Sequence, residues 1–239
     1  MSVQPPNDWE RVWAKRSLDP SKGTLLAQLM AADGLDTGYG NVSEESWRAF
    51  VRRTAADLAL TPGDTVFEVG CGAGAFLYEL DALGCAVGGL DRSAALVDAA
   101  RRAIPRGRFE VGDAASLDAT EPADAVVSWG VFLYFPSLPY AARVIEQMAA
   151  KARRIVALFD LPDAALREDA LAFRRGSLGE AAYNERYRGL DHLYFDRDWT
   201  AHALERCGLR DVRIERSQID GYANAAFRFN IVGVKPPAG

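Results

Sequence analysis

Cysteine and histidine are scarce in this chain of 239 residues. The three cysteines, Cys71, Cys85 and Cys207, are odd in number and stand at no metal-ligand spacing. That argues against a disulfide framework and for reduced thiols in a cytoplasmic setting. Two histidines, His192 and His202, are too few for an imidazole-based metal centre, and no metal is expected. Lysine is nearly missing, with 4 against 24 arginines, a skew that carries no functional message by itself. A basic excess is missing too: 28 basic against 33 acidic residues leave a net charge of −5. A duplex-binding module needs the opposite balance, so nucleic acid is not an expected partner. No apolar stretch approaches the roughly 18 residues of a membrane span, so no membrane partner is expected. The opening Met1-Ser-Val-Gln-Pro-Pro6 has no basic segment leading into an apolar run, so no secretory signal is expected.

What is present is periodic. From Asp8 to about Leu60 the pattern is helical, with Trp9 and Trp13 four apart and Leu25, Leu26, Leu29 and Met30 at helical spacing. The glycine-studded segment 33–41 predicts a loop, and Ser43-Glu-Glu-Ser46 opens another helix with an acidic first turn. After the turn at Thr61-Pro-Gly-Asp64 the pattern changes to short apolar runs alternating with amphipathic helices. Strands are expected at 65–69, 86–90, 108–111, 123–128 and 154–159, with helices near 75–83, 93–104 and 139–152. Runs apolar on both faces suit a parallel sheet covered on both sides, hence a doubly wound α/β fold with right-handed crossovers. Residues 160–197 break the rhythm with charged, helix-leaning text before a helix at 198–207. Two extended segments, 211–216 and 227–234, then follow without a crossover helix, which predicts a terminal antiparallel hairpin. One domain accounts for the chain: a helical lid at 1–60, a nucleotide-binding core at 61–159, a cap insertion at 160–197, and a closing helix and hairpin at 198–239.

The stretch Val66-Phe-Glu-Val-Gly-Cys-Gly-Ala-Gly74 reads as a strand entering a glycine loop and then a helix. Such a loop allows a tight turn and close approach of a ligand, with helix amides directed at it. Gly70-Cys-Gly-Ala-Gly-Ala75 even fits the dinucleotide pattern G-x-G-x-x-A. Acidic residues at three strand tips point elsewhere: Glu68 before the first glycine, Asp91 ending the second strand, and Asp113 after the third. They favour a ligand with positive charge and repel a pyrophosphate. Glu68 reads as a carboxylate ordering the loop in preference to a direct ligand contact. Asp91 is placed to accept from ribose hydroxyls or to cap the next helix, where Ser93 competes for that role.

In order and at these spacings, Glu68-Val-Gly-Cys-Gly-Ala-Gly74, Gly89-Leu-Asp-Arg-Ser93, Gly112-Asp-Ala114 and Asp124-Ala-Val-Val-Ser-Trp-Gly-Val-Phe132 resemble the motifs of class I S-adenosylmethionine-dependent methyltransferases. The resemblance covers about residues 60–234 and implies a Rossmann-like, seven-stranded sheet of order 3-2-1-4-5-7-6 with strand 7 antiparallel. It implies S-adenosylmethionine as donor and S-adenosylhomocysteine as product. Gly70, Gly72 and Gly74 would hold the methionine portion, with Cys71 offering its backbone amide. Asp91 would hold the ribose and Asp113 with Ala114 the adenine, and Ser93 joins the cofactor-binding set. Ser128, Trp129 and Gly130 would wall the sulfonium. Arg92 departs from the apolar residue common at its position, which leaves the adenine packing on that side open. Tyr39, in the glycine-flanked loop, suits a lid over the methionine end.

Methyl transfer is an in-line displacement, in which alignment at near-attack distance is worth up to about 7–11 kcal/mol. His192, ending the insertion, is the candidate base or acceptor-orienting residue; the alternative is a loop imidazole bonded to Asp191 or backbone. Arg228, opening the last strand, either clamps an acidic group on the acceptor or pairs with a structural carboxylate. Tyr134 joins these two in the candidate catalytic set, among aromatics crowding the expected mouth. The expected activity is methylation of a nitrogen or oxygen on a small-molecule metabolite or natural-product intermediate, by a monomer or homodimer. The alternatives are an NAD-dependent oxidoreductase and a catalytically silent nucleotide-binding protein.

Overall fold

The computed structural model describes residues 8–36 and 41–236. Tyr39 lies outside the described residues. Seven strands form one sheet in the order β3-β2-β1-β4-β5-β7-β6: β1 Thr65–Val69, β2 Ala86–Asp91, β3 Arg108–Val111, β4 Ala123–Trp129, β5 Ala152–Pro162, β6 Arg210–Arg216 and β7 Arg228–Val234. Strands β1 to β5 pair in parallel, and β7 runs antiparallel to both β5 and β6. The sheet order and terminal hairpin expected from the sequence are those found.

Alternate strand residues supply two cores. Val66 and Val127 face α2 (Leu25–Ala32), α3 (Glu44–Asp57), α4 (Ala75–Ala82) and α5 (Ala94–Ala103). Phe67 and Val126 face α6 (Leu138–Lys151) and α9 (Arg197–Arg206). Hydroxyl and carboxylate caps start the helices where the text changes character. Thr24, Ser43, Ser93, Ser137 and Asp196 each accept from an amide of the first turn. Ser93, and not Asp91, is the cap of α5.

Two departures matter for function. β5 runs on to Pro162, past the predicted end at Phe159, because a register shift against β7 between Leu158 and Leu161 absorbs Asp160. Asp160 sits there at φ 62, a left-handed conformation rare for a residue with a Cβ. The segment beyond folds into α7 (Arg167–Leu178) and α8 (Glu180–Arg186). The short helix α1 (Asp8–Trp13) lies at the carboxyl edge of the sheet, where Trp9 meets Tyr134 and His192.

Candidate functional site

Two cavities adjoin at that edge. The larger, about 680 Å³, opens beside the loop between β1 and α4. The smaller, about 170 Å³, lies under α7 and α8. Trp9, Trp13, Trp129, Gly130 and Tyr134 line both.

The loop is built from the strand ends. Gly70 and Cys71 donate their amides to the Leu90 carbonyl at 2.7 and 3.0 Å. At Gly70 (φ 78) a Cβ would collide with Val131, and at Gly72 (φ 53) with Asp33, so both positions require glycine. Gly72 donates to Asp91 Oδ2 at 3.0 Å, and Asp91 Oδ1 accepts from Ser93 at 2.8 Å. Asp33, at the end of α2, accepts from Ala73 at 2.6 Å and Ala75 at 2.9 Å. The amides that open α4 are therefore occupied by the protein's own carboxylates. The anion site that a helix N-terminus offers is filled from within, leaving no place for a pyrophosphate on those donors.

Asp33 is the residue the sequence analysis missed. It lies forty positions before Ala73 in a stretch read only as loop; its one signal was an Asp-Gly step closing the apolar run Leu29-Met-Ala-Ala32.

Three carboxylates, Glu68 buried and Asp33 and Asp91 half-buried, crowd the larger cavity. Burial is the main force on each. It pushes Asp33 up to about 7, with the Ala75 and Ala73 amides pulling back and the Asp91 charge adding to the rise. It pushes Glu68 well above the usual carboxylate range, helped by Asp33 and Asp91. Asp91 is raised as well, against the amides of Ser93, Gly72 and Arg92. Glu68 accepts from the Trp129 amide, not from the glycine loop, and its Oε2 has no partner. A cluster of this kind is relieved by a cation.

The structure places Glu68, Gly70, Cys71, Gly72 and Asp91 on the wall of the larger cavity, with Arg92, Ser93, Ala114, Trp129 and Tyr134. Other predicted contacts need correction. Cys71 offers no amide, since Leu90 takes it. Gly74 turns its Cα toward Ala100 and Ile104 of α5, a packing role. Ser128 is 1% exposed, and its hydroxyl donates to the Val69 carbonyl behind the wall. Asp113 is not on the cavity wall. It accepts from Tyr140 Oη and the Ala115 amide, both at 2.8 Å, beside Arg92 at 3.7 Å. Arg92 itself pairs with Glu10 of α1.

The smaller cavity gathers His192 and Arg228 with Asp160 and Arg174, which the sequence did not single out. His192 Nδ1 lies 2.8 Å from Arg174 Nη1. A guanidinium only donates, so Nδ1 accepts and the proton sits on Nε2. Burial, then Arg174 and Arg228, hold the imidazole pKa well below its usual value, so the ring is neutral. Its partner is therefore neither Asp191 nor backbone; the Asp191 carbonyl instead accepts from Trp9 Nε1 at 2.8 Å. Trp9 stacks on His192 at 4.7 Å and 12°. Among the described residues Arg228 makes no ion pair, and it donates to the Asp160 carbonyl at 3.4 Å. Burial opposes its charge, but Asp160 and neighbouring tyrosine oxygens more than offset this. Asp160 accepts from Tyr222 Oη at 2.9 Å through Oδ2, and its Oδ1 has no partner. Burial raises its pKa against Arg228, Tyr222 and Arg174. Asp160 Oδ2 stands 3.8 Å from where a Cβ on Gly130 would be, at the boundary between the cavities. Burial likewise raises the Tyr134 phenol, which stays protonated.

Residues 66–155 match the model of a methyltransferase domain family. No curated protein matches the chain. The magnesium protoporphyrin IX methyltransferase from Synechocystis, solved with S-adenosylmethionine, is similar at 17% identity and a TM-score of 0.62, over 98% of this chain and 100% of that one. An amino pentose methyltransferase from Micromonospora echinaspora, also solved with S-adenosylmethionine, is similar at 15% identity and 0.61, over 86% and 97%. At these identities the likeness is one of fold.

Proposed function

We propose that the chain is a class I, S-adenosylmethionine-dependent methyltransferase that methylates a nitrogen or oxygen of a small metabolite, a reading supported by the methyltransferase domain match over residues 66–155 and by the shared fold. The observation that carries the reading is the pairing of an internally saturated glycine loop with three carboxylates on the cavity wall, Asp33, Glu68 and Asp91. That wall suits a cationic adenosyl donor and disfavours a dinucleotide phosphate, so nothing supports the oxidoreductase alternative. The cavity of about 680 Å³ has the size of a nucleotide-class ligand site.

The residues fit the donor in kind. Asp91, at the tip of β2, takes the ribose hydroxyls; Glu68 and Asp33 face the cationic end; Trp129 and Tyr134 lay aromatic surface there, worth roughly 0.5–2 kcal/mol toward a cation. When bound, the donor supplies an electrophilic methyl on a sulfonium, and the electron pair of the broken bond stays on sulfur in S-adenosylhomocysteine. The acceptor's lone pair forms the new bond to that carbon. Asp160, its Oδ1 free and its pKa raised by burial, takes the proton the acceptor gives up. His192 orients the acceptor as an Nε2–H donor in place of serving as base. Arg174 fixes that tautomer. The second cavity, about 170 Å³ and bordered by α7 and α8, suits a small molecule such as the amino pentose in the name of one similar structure.

Calorimetry with S-adenosylhomocysteine and, separately, NADH tests the reading: the first is expected to bind and the second not. Binding of NADH alone overturns it.

A further inference from the structure

The smaller cavity holds an unbalanced charge. Arg174 and Arg228 are 3% and 4% exposed, so both guanidiniums are out of water. Arg174 donates to His192 Nδ1 at 2.8 Å and to Tyr194 Oη at 3.1 Å, both neutral groups. Arg228 reaches only a backbone carbonyl, and its Nε has no partner. A buried guanidinium without an anionic partner is costly, and proteins rarely leave one so. The other charged groups at this cavity do not supply the missing anion. Arg16 is matched by Asp36 at 2.7 Å. Asp33 is turned to the glycine loop. Arg186 has interactions of its own and adds no negative charge. Asp160 alone faces both buried arginines. Two buried cations against one carboxylate leave one positive charge in excess.

We propose that the methyl acceptor is a small carboxylic acid whose carboxylate seats against Arg174 and Arg228, leaving its amine or hydroxyl at Gly130 beside Asp160. The proposal rests on the methyltransferase reading and names its substrate class. The donors are in place: the unpaired Nε of Arg228 belongs to a fork that binds carboxylates bidentately, and His192 adds its Nε2–H. A single excess charge matches a monoanion. A phosphate or phosphonate dianion would overshoot it and crowd Asp160. The cavity of about 170 Å³ also limits the acceptor to a compact molecule.

The test uses the full chain. Calorimetry with S-adenosylhomocysteine comes first; failure to bind there sinks the methyltransferase reading, and with it this one. With S-adenosylmethionine saturating, S-adenosylhomocysteine release is then followed for the standard amino acids and simple hydroxybenzoic acids, their primary amides, and the matching aminoalkyl- and hydroxyarylphosphonates. The same compounds are screened for binding by ligand-detected NMR. Acceptors are expected only among the carboxylates, with kcat/KM at least about 30-fold above the matching amide, the scale of lost charge-assisted hydrogen bonds. R228K, which keeps the charge but not the fork, and R174Q should each raise KM for the acid about tenfold or more. Their S-adenosylhomocysteine affinity should stay within about twofold, which shows the fold intact. Equal use of amide and acid, preference for a phosphonate, or a donor-binding protein that neither methylates nor binds any acid would each overturn the proposal.

Discussion

The two cavities that meet at Trp129 and Gly130 carry opposite characters. On one side Asp33, Glu68 and Asp91 bring negative charge into a desolvated wall, and each is pushed toward its neutral form. On the other, Arg174 and Arg228 bring positive charge, and among the described residues Asp160 is the carboxylate that faces both. Each half is electrostatically incomplete alone, and each is completed by a ligand of the opposite sign. Under the proposed reading the contrast separates donor from acceptor, with the sulfonium among the carboxylates and the acid among the guanidiniums.

The sharpest way to break this contrast is at the boundary. Asp160→Asn keeps the shape but removes the proton acceptor, and kcat should fall about 100-fold or more. The acid limb of the pH profile should vanish while donor affinity holds; an unchanged kcat with that limb intact removes Asp160 from the reaction. On the donor side, Asp91→Ala leaves the Gly72 and Ser93 amides without their acceptor as well as removing the ribose contact. Donor affinity should drop roughly 100-fold, from two lost charge-assisted bonds. An unchanged dissociation constant would move the ribose elsewhere.

A subtler effect follows from Asp33. Its folded pKa of about 7 lies above the unfolded value of 3.8. The stability it contributes is therefore full below about pH 4 and is lost as pH rises through 7. The ligand-free protein should lose melting temperature between about pH 4 and 7, by about 2–4 °C per kcal/mol for a chain of this size. A cationic donor reverses the preference. Calorimetry near pH 7 in buffers of different ionisation enthalpy should show proton release on S-adenosylmethionine binding, and none would mean Asp33 is already ionised. The smallest effect is expected at the lid. Arg92→Ala breaks an exposed pair with Glu10, and donor affinity should change less than about threefold.

Much of this was legible in the chain. The strand pattern, the glycine loop and the acid at the tip of β2 are local signals, and local signals survive in a sequence. The terminal hairpin was readable because no crossover helix separates its strands. Asp33, Asp160 and Arg174 were not, each for a physical reason. Asp33 acts across forty residues on amides it does not neighbour in sequence. Asp160 seemed to end an apolar run, whereas Asn230 Oδ1 accepts its amide at 3.0 Å and the strand continues through a left-handed step. Arg174 sits in a helix with charged text all around, and nothing in that text marks it as the arginine that is buried. Gly74 and Ser128 erred the other way, fitting a motif while serving the packing behind it.

Helix α1 touches both compartments at once: Glu10 holds Arg92 on one side, and Trp9 stacks on His192 on the other. This six-residue segment spans both cavities, with Trp9 and Trp13 on the wall of each. Under the proposed reading a movement of α1 would open both cavities together, so that the spent donor and the methylated product would share one opening event.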